Sequence, residues 1–84
     1  MHECLITFRS VTPAQRGESV LQRAGFSCTL SRTPKWMEEQ GCGYSLRVRH
    51  GQVRECVQKL RQEKVLFRKV YLLRQGGKAE ELEI

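Results

Sequence analysis

The chain has 84 residues, and its 15 Lys and Arg against 9 acidic residues give a formal net charge of +6. A chain of this length forms one domain with a small core and leaves little room for a deep substrate cavity. No stretch approaches the roughly 18 apolar residues of a membrane span, and the first residues lack the features of a secretory signal, so we expect a cytoplasmic protein that does not contact a membrane.

The positive charge is concentrated in the body of the chain. Residues 1–73 contain 13 Lys and Arg against 6 Glu, a net charge of +7, whereas residues 74–84 contain 2 against 3, a net charge of −1. We expect the first range to form a single α+β domain and the second to be a loose, charged C-terminal tail. A basic body favours acidic surfaces or anionic ligands without singling out nucleic acid.

The start of the chain predicts a strand followed by a helix. A short apolar run indicates a strand over about residues 3–9. Thr12 before Pro13 is typical of a helix start, since Thr is a good N-cap and Pro suits the first helical position. Gly25 is a natural C-terminal cap. We therefore expect a helix over about 13–24.

The middle of the chain contains two further strands separated by a long connection. Residues 26–30 indicate the second strand, and proline, glycine and charged residues then break the periodic pattern between residues 31 and 43. Residues 44–49 alternate between apolar and polar side chains, with Tyr44 first on the apolar side. This period of two predicts a half-buried strand.

The last part of the domain predicts a second helix and a fourth strand. After Gly51, apolar residues recur at i, i+3, i+4 and i+7 and form one buried stripe: Val53, Cys56, Val57 and Leu60. A final strand is expected over about residues 66–73. The order βαββαβ predicts an α+β fold of the ferredoxin-like type, a four-stranded antiparallel sheet with both helices on one face, although this order also allows other α+β arrangements.

The sequence lacks the residue patterns of several common kinds of catalytic site. His2 and His50 have no partner motif nearby and are expected to be solvated. The chain contains no Asp, no pair of carboxylates spaced for acid–base catalysis and no glycine-rich phosphate loop. We therefore expect no cofactor and no stand-alone enzyme activity. Cysteine is the candidate nucleophile.

The four cysteines, Cys4, Cys28, Cys42 and Cys56, differ in their sequence settings. No two form a C-x-x-C pair, which argues against a zinc site, and a reducing compartment argues against disulfides. Cys56 lies on the apolar stripe of the second helix and Cys4 alternates with apolar residues of the first strand, so we expect both to be buried. Cys28, at the second strand, is ambiguous.

Cys42 lies between Gly41 and Gly43, where the long connection enters the third strand. The flanking glycines leave its sulfur accessible and allow backbone N–H groups to turn toward it, and nearby positive charge would favour the reactive thiolate. Candidate stabilising neighbours are Arg9, Arg32, Lys35 and Arg47. On the residues alone, a tight turn with a small central residue explains Gly-Cys-Gly equally well.

The stretch that begins with Thr33-Pro34 and continues through Cys42-Gly43 into the third strand resembles a family of small bacterial proteins described as Se/S carrier-like. The likeness covers about residues 3–73 and includes a first strand that ends in Phe, here Phe8. The resemblance implies that Cys42 is the carrier thiol, which holds sulfur or selenium as a persulfide or selenosulfide. It also implies a cysteine desulfurase-type donor and an acceptor enzyme as partners.

The chain departs from the related sulfur-relay proteins at one position. Those proteins have a Cys-Pro pair between the first strand and the first helix, where this chain has Ser10-Val11-Thr12-Pro13 without a cysteine. The link to them is therefore an analogy of role.

Two other functions remain open on the residues. A basic domain of this fold could bind RNA, but its third strand places Tyr44 toward the core and offers no aromatic platform for stacking bases. The chain could also be a non-catalytic interaction or regulatory domain that binds proteins through Trp36 and Met37. Exposure of Leu5, Tyr71 or Leu73 on the open sheet face would favour a homodimer.

Overall fold

The computed structural model describes residues 2–33, 43–74 and 78–84. Its elements in chain order are β1 (Glu3–Phe8), α1 (Val11–Arg23), β2 (Thr29–Arg32), β3 (Tyr44–Arg49), α2 (Val53–Gln62), β4 (Val70–Arg74) and β5 (Lys78–Leu82). The predicted α+β class is confirmed. Within the described ranges, no helix is both long enough and apolar enough to cross a membrane.

The strands form one antiparallel sheet in the order β2-β3-β1-β4-β5. The central strands β1 and β3 pair along their whole length, with Phe8 opposite Tyr44 and Cys4 opposite Val48. Tyr44 is half-buried against the core, on the side that its alternation predicts. The bounds predicted for β3 are those observed.

The sheet has five strands, so the prediction of four strands is wrong. The additional strand, β5, lies within the segment that the sequence indicated as a loose tail, and it pairs with β4 along the sheet edge. Two ion pairs link β5 to neighbouring residues: Arg74 Nη2 is 2.6 Å from Glu80 Oε2, and Lys69 Nζ is 3.5 Å from Glu81 Oε1. A charged outer strand of this kind is also a common protection against aggregation at an edge.

Both helices pack against the same face of the sheet. Gly17 of α1 lies so close to the sheet and to α2 that a Cβ there would be 3.1 Å from Phe8 Cζ, 3.2 Å from Leu46 Cδ1 and 3.3 Å from Leu60 Cδ2. Glycine therefore allows α1 to approach both the sheet and α2 closely. The predicted stripe of α2 is confirmed as buried.

The helix ends differ in how well they follow sequence rules. The prediction of Thr12 as N-cap is wrong, since Ser10 occupies that position and makes no side-chain capping hydrogen bond. The predicted cap at Gly25 is confirmed: it has φ of +91°, and the N–H groups of Gly25 and Phe26 bond back to the last turn of α1. Helix α2 ends in the same way, but with Lys64 at φ of 57°.

The face of the sheet away from the helices contains both polar and apolar residues. Leu5 on this face is only 2% exposed, and Tyr71 and Leu73 are half-buried. Leu5 therefore does not provide the exposed apolar residue that would favour a homodimer.

Candidate functional site

Cys42, the predicted carrier residue, lies outside the described residues, as do Gly41 and Lys35. The structure describes Gly43, the immediate neighbour of Cys42 in the chain, and the elements around it. These elements define the surroundings of the start of β3.

Gly43 is fixed to the sheet at the point where the connection 34–42 rejoins it. Its carbonyl oxygen accepts a hydrogen bond from the Thr33 N–H at 3.0 Å, so the two ends of the connection lie side by side. The next residue, Tyr44, is opposite Phe8, the last residue of β1. One end of the sheet therefore contains the end of β1, the end of β2 and the start of β3.

Two of the predicted cations lie at this end of the sheet. Arg9 follows Phe8 directly, is exposed, and has no hydrogen bond or ion pair within the described part of the chain. Arg32 is opposite Tyr44, and its guanidinium carbon is 5.8 Å from the centre of the Tyr44 ring. This cation–π contact holds positive charge beside the start of β3.

Arg47, a third predicted cation, lies farther along the strand. It is four residues beyond Gly43, a distance of about 13 Å in a β-strand. Its Nη1 atom is 3.8 Å from Glu3 Oε1. The structure therefore brings Arg9 and Arg32 toward the start of β3 and leaves Arg47 with an acidic partner elsewhere on the sheet.

Two buried hydroxyl groups near the base of the connection were not singled out from the sequence. Thr33 Oγ1 and Ser45 Oγ are buried and have no hydrogen-bond partner within the described residues. The sequence signal for Ser45 was its place on the polar side of β3, which indicated an exposed residue. Ser45 is nevertheless completely buried, and an alternation pattern along one strand does not predict which residues from elsewhere in the chain cover it.

The other three cysteines are free thiols in settings that disfavour the thiolate. Burial raises the pKa of Cys4 to about 11. Burial also raises the pKa of Cys56 to about 12, with smaller contributions from neighbouring groups. Both are fully buried, as predicted. None of these features suits a nucleophile at neutral pH.

Cys28, ambiguous from its sequence, is half-buried. Burial raises its pKa, and the nearby Glu18 carboxylate adds to that rise. The Cys28 thiol also donates a long hydrogen bond to the Glu18 carbonyl oxygen at 3.9 Å. These contacts stabilise the protonated thiol, so Cys28 resembles the two core cysteines more than an activated one.

Cys28 also lies far from Gly43. Thr29 pairs with Arg47, which lies about 13 Å along β3 from Gly43. Cys28 directly precedes Thr29 on the antiparallel strand, so it lies even farther from Gly43. Consecutive Cα atoms are about 3.8 Å apart, and a disulfide needs a Cα–Cα distance below about 7 Å. The Gly43 position at the start of β3 is therefore well beyond disulfide distance from Cys28.

The fold and the sequence together define a small antiparallel α+β protein with a glycine-flanked cysteine before its third strand. The family described as "Putative Se/S carrier protein-like" matches residues 3–72, and the chain belongs to this family. The resemblance seen in the sequence is thereby confirmed. No curated protein and no solved structure matches the chain.

Proposed function

We propose that this protein accepts sulfur or selenium on Cys42, as a persulfide or selenosulfide, and delivers it to an acceptor enzyme. The observation that carries the proposal is that, in a chain of the Se/S carrier family, two of the other three thiols are fully buried and the third, Cys28, is half-buried with a raised pKa. A carrier needs one accessible thiol. Since Cys4 and Cys56 are buried, and burial and the Glu18 carboxylate raise the pKa of Cys28, Cys42 is the remaining candidate.

The proposed reaction is a thiol exchange that needs no external oxidant. The Cys42 thiolate attacks the terminal sulfur of a donor persulfide, the bond between the two donor sulfurs breaks, and the donor leaves as a thiolate. The terminal atom, with its proton, is then bonded to Cys42. Selenium would transfer in the same way from a donor selenosulfide. A nucleophile of the acceptor takes the atom in a second exchange, and the Cys42 thiolate leaves.

Arg9 and Arg32 are the described cations that would favour this chemistry. Both lie at the end of the sheet where Gly43 leads into β3, and positive charge there lowers the free energy of a thiolate or perthiolate anion. Lys35 stays a candidate on its sequence position. Arg47 would contribute less, because it pairs with Glu3 and about 13 Å of strand separates it from Gly43.

Release of the atom would depend on the acceptor. Because Cys28 lies far from the start of β3, we do not expect it to displace the sulfur from Cys42. The proposal therefore includes a cysteine desulfurase-type donor and an acceptor enzyme that supplies its own nucleophile. Catalytic turnover by the carrier alone is not expected.

We also infer that the βαββαβ part of the chain is a ferredoxin-like core extended by β5. The order β2-β3-β1-β4, the antiparallel pairing and the packing of both helices on one face support this assignment. In this arrangement β1 and β3 are central and pair along their whole length, and Gly43 directly precedes β3.

The test is to incubate the protein with a cysteine desulfurase and either cysteine or selenocysteine and to measure its intact mass. The wild-type chain should gain one sulfur or selenium atom, and Cys42→Ser should gain none. Cys28→Ser is the matched control and should load as the wild type does. Equal loading of Cys42→Ser, or no loading of the wild type, would overturn the proposal.

A further inference from the structure

A cleft of about 380 Å³ lies beside the junction of β1 and α1. We call it the Arg9–Leu66 cleft, and its lining residues are Arg9, Ser10, Pro13, Leu66, Phe67 and Arg68. Its volume falls within the range of small ligand sites, roughly 300 to 1,000 Å³, and is large enough for a few side chains of another molecule.

The charged residues that line the cleft within the described chain are basic. Arg9 and Arg68 line it, and no acidic residue does so within the described chain. Arg9 follows the last residue of β1, and the Arg68 N–H donates a hydrogen bond to the Thr7 carbonyl oxygen at 2.7 Å. The backbone of both arginines is thus fixed to the same end of β1, and the exposed Arg9 guanidinium attracts negative charge to the rim of the cleft.

The cleft also has an apolar wall. Leu66 is 84% exposed and is the one large hydrophobic residue so exposed among the described residues. Phe67 beside it is half-buried, and the Arg61 guanidinium carbon is 5.6 Å from the centre of its ring. This wall offers Leu66 as contact area for an apolar side chain, which a free anion such as phosphate would leave uncovered.

The position of the cleft relates it to the start of β3. Arg9, on its rim, directly follows the residue that pairs with Tyr44, and Gly43 directly precedes Tyr44. A protein that occupied the cleft would therefore touch the end of the sheet at which the chain continues from Cys42 into β3.

We propose that the Arg9–Leu66 cleft binds an acidic segment of the protein that exchanges sulfur or selenium with Cys42. A glutamate or aspartate side chain of that segment pairs with Arg9, and one apolar side chain covers Leu66. That this partner donates sulfur or selenium to Cys42, or accepts it from Cys42, rests on the proposed function. The preference of the cleft for an acidic, partly apolar segment rests on its own lining residues.

The test uses Cys42→Ser protein, so that thiol chemistry cannot contribute. ¹⁵N-labelled protein is titrated by NMR with a short peptide in which one leucine is flanked by glutamates. The backbone amide signals of Ser10, Leu66 and Phe67 should shift. Arg9→Glu should weaken binding by about tenfold, because attraction becomes repulsion at the rim. Leu66→Ser should weaken it by about fivefold.

Arg54→Glu is the matched control, since it makes the same change in charge in the first turn of α2, away from the cleft. It should bind the peptide within about twofold of the parent protein, the spread expected of an uninvolved surface charge. A peptide with lysines in place of the glutamates should shift none of the cleft signals.

Four results would overturn the proposal. The acidic peptide could leave the cleft signals unchanged, or the basic peptide could shift them equally. Inorganic phosphate alone could reproduce the shifts, which would mark a site for a free anion. Gel filtration could show a dimer that Leu66→Ser dissociates, which would assign the cleft to a second copy of this chain. Failure of sulfur loading would leave peptide binding intact, so the two proposals fail separately.

Discussion

The Thr33 N–H donates a hydrogen bond to the Gly43 carbonyl oxygen at 3.0 Å, and this bond joins the two ends of the connection 34–42. The residue after Cys42 is thereby fixed to a paired strand. Arg32 and Tyr44, the neighbours of the bonded residues, pair across β2 and β3 and keep a cation at this end of the sheet. The proposed carrier thiol of Cys42 therefore directly precedes a residue that is hydrogen-bonded to the sheet.

Alkylation should distinguish Cys42 from the other cysteines. With the native protein at neutral pH, we expect iodoacetamide to modify Cys42 first, because burial raises the pKa of Cys4 and Cys56 and shields both from the reagent. Peptide mapping by mass spectrometry after brief labelling measures this. Unfolded protein is the control and should be labelled at all four positions. Labelling of Cys28 ahead of Cys42 would contradict the assignment of the carrier thiol.

The rate of that alkylation should report which cations act on the thiolate. Arg9→Gln and Arg32→Gln should each slow the labelling of Cys42 at neutral pH by about two- to threefold, since removal of an exposed charge weakens a pair by roughly 0.5 kcal/mol. Arg47→Gln is the control and should leave the rate unchanged, because Arg47 pairs with Glu3. An effect of Arg47→Gln equal to that of Arg9→Gln would argue against this arrangement.

The buried thiols should also make stability fall at high pH. The pKa values of Cys4 and Cys56 are raised from 9.0 to about 11 and about 12, so the unfolded chain loses these protons at lower pH than the folded one. Their contribution is complete below pH 9 and is lost as pH rises toward 12. Urea unfolding of wild type and Cys56→Ala from pH 8 to 10.5 measures this. The wild type should lose stability more steeply, and parallel curves would contradict the prediction.

The end of α2 offers a test of backbone strain. Lys64 has φ of 57°, a conformation that costs a non-glycine residue about 1–2 kcal/mol, while glycine adopts it freely. Glycine relieves this strain but loses more conformational entropy on folding, which offsets part of the gain. Lys64→Gly should therefore raise the free energy of unfolding in urea by about 0.5–1 kcal/mol. Lys64→Ala is the control, because it removes the same side chain and keeps the strain. Equal effects of the two variants would show that the backbone is not the cause.

The sequence patterns correctly predicted the features that depend on the spacing of neighbouring apolar residues. The alternation from Tyr44 to Arg49 gave both ends of β3, and the stripe of α2 identified its buried residues. The predicted second strand began at Phe26, but Phe26 instead completes the cap of α1 and packs against the core, and β2 begins at Thr29. Its apolar character reflected burial in a turn, which a short apolar run does not distinguish from a strand.

The features that the sequence did not predict depend on contacts between distant residues. Strand β5 contains mainly charged residues, and its pairing with β4 is supported by ion pairs such as Arg74 with Glu80. The Arg9–Leu66 cleft likewise requires that the chain after α2 return beside the start of α1, which no local pattern reports. The sequence predicted Arg9 as a cation near the thiol but gave no reason to associate it with Leu66.

Two complementary chains, compared after incubation with a cysteine desulfurase and cysteine, test directly whether Cys42 is the carrier thiol. In one, Cys4, Cys28 and Cys56 are replaced by Ala and Cys42 is the only thiol; in the other, only Cys42 is replaced. Intact mass should show one added sulfur atom on the first chain and none on the second. Loading of the second chain, or a folded first chain that stays unloaded, would contradict the assignment of Cys42 as the carrier.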